Sequence, residues 1–345
     1  MDDHGPLEVA ALAPTDPALR GIWPLLERDA GVGCPFLTWP WFSALADVPS
    51  ASGCVRVLVA TRAGEPIGLL PLEWATGPGR LRTVGPAGWR WLAPDHLDVL
   101  GPGRQRLAAA RAMLAYLAVT PDWDALDLDG LDPAGALARA TAGALRPPRF
   151  LHRPAEPVAA PFVDLRAKDD AELFPSRNLR HQVRRGLRAA ERSGGGLETV
   201  RDPQRVGRLM EELMALHNAR FGAASAVFAT PERRRFHLLA SGRMAAAGMA
   251  QVVRLTAEGR TAALLYALLL PGRVFYYAMG MAGEVGLSPG RTVLGQAILA
   301  AADEGFSEFD LLRGDHPFKL RFASGIREDL RIRVVRPTVR TLHEG

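Results

Sequence analysis

The sequence predicts an α/β protein of two similar domains, each a mixed, mostly antiparallel sheet flanked by helices. Three observations carry this. In the second half, three strand-like runs joined by tight turns lead directly into an amphipathic helix that opens with Pro-Gly. A Pro-rich passage, Arg146 to Phe162, separates that half from the first. The first half repeats the same signals: Pro102-Gly103-Arg104 answers Pro289-Gly290-Arg291 at an offset of 187, Asp127 answers Asp310 at 183, and the hairpin from Thr61 answers that from Thr256 at 195.

In chain order, Leu7 to Leu12 and Cys54 to Thr61 read as strands, and Asp16 to Ala30 and Trp39 to Val48 as helices. Ile67 to Trp74 pairs back across the Ala63-Gly64-Glu65 turn. Arg104 to Val119 is expected as a helix, Trp123 to Asp129 as a strand and Pro133 to Leu145 as a helix. The tryptophans, at 23, 39, 41, 74, 89, 91 and 123, all fall in this half and are expected at cores and domain interfaces rather than as a carbohydrate platform. Prolines 147, 148, 154, 157 and 161 forbid helix and make the next passage a linker with one edge strand.

The second half opens with a helix, Ser176 to Arg192, whose buried stripe is Leu179, Val183, Leu187 and Ala190. Arg177, Arg180, Arg184, Arg188 and Arg192 form a second stripe beside it. Gln204 to Phe221 is a further amphipathic helix, and Thr230 caps a third starting at Pro231. Met249 to Thr256, Thr261 to Leu270 and Val274 to Gly280 are three strands with turns at Glu258-Gly259 and Pro271-Gly272. The helix Pro289 to Asp303 follows, then a strand Phe306 to Leu312, a polar turn ending in Lys319, and a last strand Leu330 to Arg336.

A chain of 345 residues with 48% hydrophobic and 23% charged side chains can bury two cores. The formal charge of +5 is uneven, since the second half holds most of the arginines. That field favours a phosphorylated or otherwise acidic ligand, nucleic acid or an anionic surface. Among 42 basic residues only Lys168 and Lys319 are lysines, so an ammonium in the polar turn is a specific choice. Two cysteines without metal-like spacing imply no disulfide framework and no metal site. The acidic start and the absence of a long apolar run are expected of a cytoplasmic protein without a membrane span.

The helix start at Ser288, Pro289, Gly290, Arg291 and Thr292 is the first candidate site. Ser288 is the expected cap, Pro289 loses nothing at the first helical position, and the amides of Gly290, Arg291 and Thr292 are expected to face a pyrophosphate. Gly286 to Gly290 also matches a Gly-x-Ser-x-Gly nucleophile elbow. Pro289 argues against that, because the residue after the serine must lend an N–H to the oxyanion hole. His217 is a candidate general base or a core histidine. Arg177, Arg180, Arg184 and Arg220 are candidates for binding an acidic acceptor, or a solvated face.

The segments SRNLRHQVRRGLRAAERSG, LHNARF, the strand pair around Arg260 to Tyr277, PGRTVLGQAI and FDLLRGDHPFKLRF together resemble the GNAT acyltransferases. More closely, they resemble the CelD/BcsL-type acetyltransferases associated with cellulose and exopolysaccharide production, relatives of the FemABX peptidyl transferases. The resemblance covers Asp164 to Pro337 well and the first half loosely, and implies tandem GNAT-like domains. A degenerate one is expected over residues 1–148, a linker over 149–164 and a catalytic one over 165–345.

It implies acetyl-CoA as co-substrate and direct transfer of the acyl group to an amine or hydroxyl of an acidic small-molecule or glycan acceptor. Asp310 and Lys319 are then expected beside the thioester, Lys319 stabilising charge at the reacting carbonyl, with Tyr276 or Tyr277 pointing to the cleft. Asp310 is equally readable as a structural partner of Arg313 or Lys319. Aminoacyl-tRNA-dependent peptidyl transfer and a non-catalytic role in polysaccharide synthesis remain the alternatives.

Overall fold

Turn chemistry and hydrophobic period lay down the elements largely in the expected order in the computed structural model. It describes residues 5–31, 33–48, 54–166, 173–222, 227–283, 288–338 and 341. The first stretch folds into β1 (Leu7–Leu12), α1 (Leu19–Ala30), α2 (Trp39–Ala46), β2 (Val55–Arg62), β3 (Glu65–Thr76), β4 (Arg82–Pro86), α3 (Gly103–Val119), β5 (Ala125–Leu131) and α4 (Ala136–Ala144). Next come β6 (Leu151–His152), β7 (Glu156–Asp164), α5 (Arg177–Arg192), β8 (Gly196–Val200), α6 (Pro203–Phe221) and α7 (Pro231–Ala246). The chain closes with β9 (Ala250–Ala257), β10 (Arg260–Leu270), β11 (Arg273–Met281), α8 (Pro289–Asp303), β12 (Glu308–Asp310), the single turn α9 (Pro317–Leu320) and β13 (Gly325–Val335).

Local chemistry explains the junctions. The hairpin turns at Ala63-Gly64 and Glu258-Gly259 have positive φ at both central residues, as two-residue hairpins twisted like their strands require. Ser176, Asp202 and Thr230 each cap the helix that follows by accepting a backbone N–H three residues on.

The chain divides into two compact units, Met1–Val158 with Glu328–Gly345, and Ala159–Arg327. Within unit 1 the strand order is β1-β2-β3-β4-β5-β13, and within unit 2 it is β8-β9-β10-β11-β12-β7. The two orders match strand for strand in sense. In each the first three pairings are antiparallel, up to β4 and β11, then β4/β5 and β11/β12 are parallel, and the sixth strand is antiparallel again. A helix, α3 or α8, makes each parallel crossover.

The sixth strands are where the sequence expectation and the structure part. β13, expected to close the second domain, pairs with β5 in unit 1, Leu330 opposite Leu131. The expected linker is largely β7, which supplies the sixth strand of unit 2. Its prolines are tolerated because regular pairing with β12 begins at Phe162, and Pro161 contributes only its carbonyl, to the Leu311 N–H. The strand expected over Phe306 to Leu312 is shorter, Glu308–Asp310.

In unit 2, α5 and α8 pack together on one face of the sheet. Val183 lies under Gly295 and Gly186 under Thr292, and the shared core includes Leu179, Ala190, Val253, Leu265, Leu294 and Ile298. α6 and α7 cover the other face, where Gly280 of β11 meets the Leu213 carbonyl of α6. In unit 1, Trp23, Trp41 and Trp123 are buried, as expected of packing tryptophans. No helix among the described residues is long and apolar enough to cross a membrane.

Candidate active site

The site grows from a gap in the unit 2 sheet. β11 pairs with β12 only over Arg273 to Phe275, opposite Glu308 to Asp310. Beyond Asp310 the chain leaves β11, the Leu311 N–H donating to Pro161 instead. From Tyr276 onward β11 therefore has no β12 partner. A register shift in the β10/β11 pairing, where Tyr266 opposes Ala278 and Ala267 opposes Tyr276, leaves Tyr277 as the extra residue of a bulge. Bulges re-aim side chains. Here Tyr276 stays with the α5/α8 core while Tyr277 turns to the α7 side, its ring 5.4 Å from His237 and 5.8 Å from Tyr266.

Lys319 reaches this gap from α9. Its buried ammonium donates to the carbonyls of Leu312 (3.3 Å) and Arg313 and lies 5.8 Å over the Tyr276 ring. The turn that collars it needs positive φ at Leu312 and Gly314. Phe318 meets Tyr276 edge-on at 6.0 Å. Thus Tyr276, of the two candidate tyrosines, stands beside the lysine. The sequence carried no signal for this, since the bulge decides the facing. Burial drives the Tyr276 phenol pKa upward, so it stays protonated.

Asp310 is fully buried and engaged: Oδ1 accepts the Leu312 N–H at 2.8 Å and Oδ2 accepts from Arg327 at 2.9 Å. Arg327 also pairs with Glu308. A carboxylate so held shapes the turn around Lys319. Asp127 of unit 1, its counterpart by sequence offset, is instead held on both oxygens by Arg331.

His217 sits on the α6 side of β11. Its Nδ1 donates to the Met279 carbonyl at 2.9 Å, which puts the proton on Nδ1 and makes Nε2 the basic nitrogen. Burial lowers its pKa, so the ring is neutral near pH 7. Phe221 (4.8 Å) and Phe228 (5.1 Å) flank it. His237, deeper among Phe228, Phe236 and Tyr277, has its pKa pushed down to about 3 by burial. Lys319 and His217 flank the open stretch Tyr276 to Met279, roughly 10 Å of extended strand.

The start of α8 differs from expectation in detail. Ser288 adopts a left-handed conformation and its side chain does not cap; its carbonyl instead takes the N–H groups of both Arg291 (3.0 Å) and Thr292 (3.1 Å). Two of the three amides expected to face a ligand are therefore used within the first turn. No backbone acceptor among the described residues takes the Gly290 N–H, and a Cβ there would come within 2.7 Å of Met281 Cε and 3.1 Å of Met279 Sδ. The helix dipole and the Gly290 amide remain to attract an anion. Arg291 donates to Gln182 of α5 at 2.6 Å, and Gln182 in turn donates to Asn178. Of the loop before Ser288, residues 284–287 lie outside the described residues, and with them Gly286 of the elbow-like pattern.

The structure does not gather the α5 arginines at this site. At about 100° per residue, Gln182, Val183 and Gly186 face α8, Arg177, Arg184 and Arg188 lie on the side turned away, and the half-buried Arg180 lies on the flank. Arg220 lies on α6, exposed, its guanidinium 5.8 Å over Phe221.

Unit 1 has the same parallel pair but fills the gap. Trp89 lies so close to Gly85 that a Cβ there would be 2.7 Å from its Nε1. Leu97 bridges in parallel to Leu131, its N–H donating to Gly130. The edge of β5 beyond Leu126 is thereby taken by the chain itself.

Residues 177–320 match a family model described as an acetyltransferase (GNAT) domain. No curated protein matches the chain. Among solved structures it is similar to FemX, with a TM-score of 0.60 at 13% identity over 94% of this chain and 96% of that one. It is similar also to L-PGS from Bacillus licheniformis, with 0.58 at 13% over 94% and 93%. A tandem GNAT protein from the clavulanic acid biosynthesis pathway gives 0.50 at 17% over 96% and 98%. The chain therefore has a mixed α/β fold like that of tandem GNAT proteins, and its residues 177–320 match the GNAT acetyltransferase domain model.

Proposed function

We propose that unit 2 is an acyl-CoA-dependent acyltransferase, using acetyl-CoA most simply and passing the acyl group directly to an amine or hydroxyl of an acidic acceptor. The observation that carries this is the parting of β11 and β12 after Phe275 and Asp310, which opens a strand edge between the start of α8 and the His217 side of the sheet. An extended thioester arm fits such an edge, with its diphosphate at Gly290 and the α8 dipole. The resemblance to CelD/BcsL-type enzymes favours polysaccharide or cell-envelope metabolism as the setting.

In this reading His217 Nε2 takes the proton from the acceptor as its nitrogen or oxygen attacks the thioester carbonyl. The backbone N–H groups of the open β11 edge and the Lys319 ammonium stabilise the oxyanion, and collapse expels the thiolate, which takes up a proton. No covalent enzyme intermediate forms. Much of the acceleration comes from holding the two reactants in line. Asp310 keeps the Lys319 turn in shape through Arg327 and the Leu312 N–H.

The similarity to FemX across nearly the whole chain favours a second reading, with an aminoacyl-tRNA as donor in the same gap. Titration calorimetry separates the two. Acetyl-CoA is expected to bind the wild type, and Arg291→Glu to weaken it about tenfold or more by setting a carboxylate at the helix start. Absence of acetyl-CoA binding together with a tight, steeply salt-dependent tRNA complex would replace the first reading by the second.

A further inference from the structure

Arg177, Arg184 and Arg188 of α5 face away from α8, whereas the last turn of α6 sets a cation beside His217, where it can read a negative group on the proposed acceptor. His217, Arg220 and Phe221 stand at i, i+3 and i+4, on one side of the helix. The His217 and Phe221 rings are 4.8 Å apart, and the Arg220 guanidinium carbon lies 5.8 Å from the Phe221 centroid. Phe221 is 42% exposed although aromatic. Arg220 is exposed and makes no ion pair among the described residues.

An imidazole with its basic nitrogen defined, an open aromatic face and an unneutralised guanidinium thus follow one another across the α6 side of β11. Resting on the acyltransferase reading, we infer that this is the acceptor subsite and that it takes a small amine carrying an oxyanion. The apolar face of the acceptor scaffold lies on Phe221, its carboxylate or phosphate pairs with Arg220, and its amine is presented to His217. The two separations laid end to end reach about 11 Å, which bounds the distance from the His217 ring to the Arg220 guanidinium. That length suits an amino sugar phosphate or a short amino acid. A fork of donors suits either oxyanion.

The test compares matched amines in acetyl-CoA thiol release: glucosamine against glucosamine 6-phosphate, and benzylamine against 4-(aminomethyl)benzoate. The anionic member of at least one pair is expected to be favoured about tenfold or more in kcat/KM, and which pair responds tells phosphate from carboxylate. Arg220→Gln is expected to erase the difference by raising KM for that member with little change in kcat, and Arg220→Lys to restore part of it. A purely structural Arg220 would lower kcat for both members alike and overturn the inference. So would equal use of neutral and anionic amines. Thiol release with none of the four, by a protein that binds acetyl-CoA, overturns the subsite and leaves the donor site standing. Failure to bind acetyl-CoA removes the reading on which the subsite rests, and the subsite with it.

Discussion

His217 shows how one side chain can be assigned a role only when its surroundings are known. By sequence it was either a general base or a core histidine, since it falls beside the Leu213 and Leu216 positions of α6. The structure gives it a carbonyl on Nδ1 and a depressed pKa, and both observations suit a base. Its pH dependence follows with a definite sign. A base acts when deprotonated, so kcat/KM should rise through a pKa below the ordinary histidine value of about 6.5 and be level at neutral pH. His217→Gln should abolish that acid limb and lower kcat/KM at pH 7.5 by about 10²- to 10⁴-fold. A full-rate variant with the limb intact would return His217 to a packing role. Lys319 stood out in the sequence because lysine is rare in this chain, whereas the facing of Tyr276 did not, because a bulge in the β10/β11 pairing sets its direction.

At the scale of elements, the helices were readable from their apolar spacing, and the contact between α5 and α8 was not. Gly186 is the reason the two approach so closely: a Cβ there would lie 2.0 Å from Thr292 Oγ1 and 3.0 Å from Thr292 Cβ. Gly186→Ala must push α5 away from α8, with a cost of about 1–3 kcal/mol typical of overpacking. Because Thr292 belongs to the first turn of α8, acetyl-CoA affinity should fall along with the melting temperature. Thr292→Ala in the same chain should recover part of both, since it removes the nearest atom. Calorimetry and thermal melts check this, and an unchanged melting temperature in Gly186→Ala would contradict the packing. The amides at the α8 start teach a related lesson. Pro289 and Gly290 advertised a helix opening, but the left-handed Ser288 behind two occupied amides depends on the tertiary path of the chain.

For the whole molecule, the repeat was visible and the exchange of sixth strands was hidden. Offsets near 187 foretold two units of one topology, and the strand orders agree in sense throughout. Nothing in the alternation of β13 says which unit it completes, and the prolines of β7 disguised a strand as a linker. The two units also differ at this gap: among the described residues β11 of unit 2 has no strand partner on its β12 side beyond Phe275, while unit 1 fills its own gap with Trp89 and Leu97. A structure of the complete chain with acetyl-CoA tests this most directly. The account predicts one nucleotide per chain, its diphosphate at Gly290 and its thioester along Tyr276 to Met279 between His217 and Lys319. Acetyl-CoA seated in unit 1, or in unit 2 away from that strand edge, would contradict it.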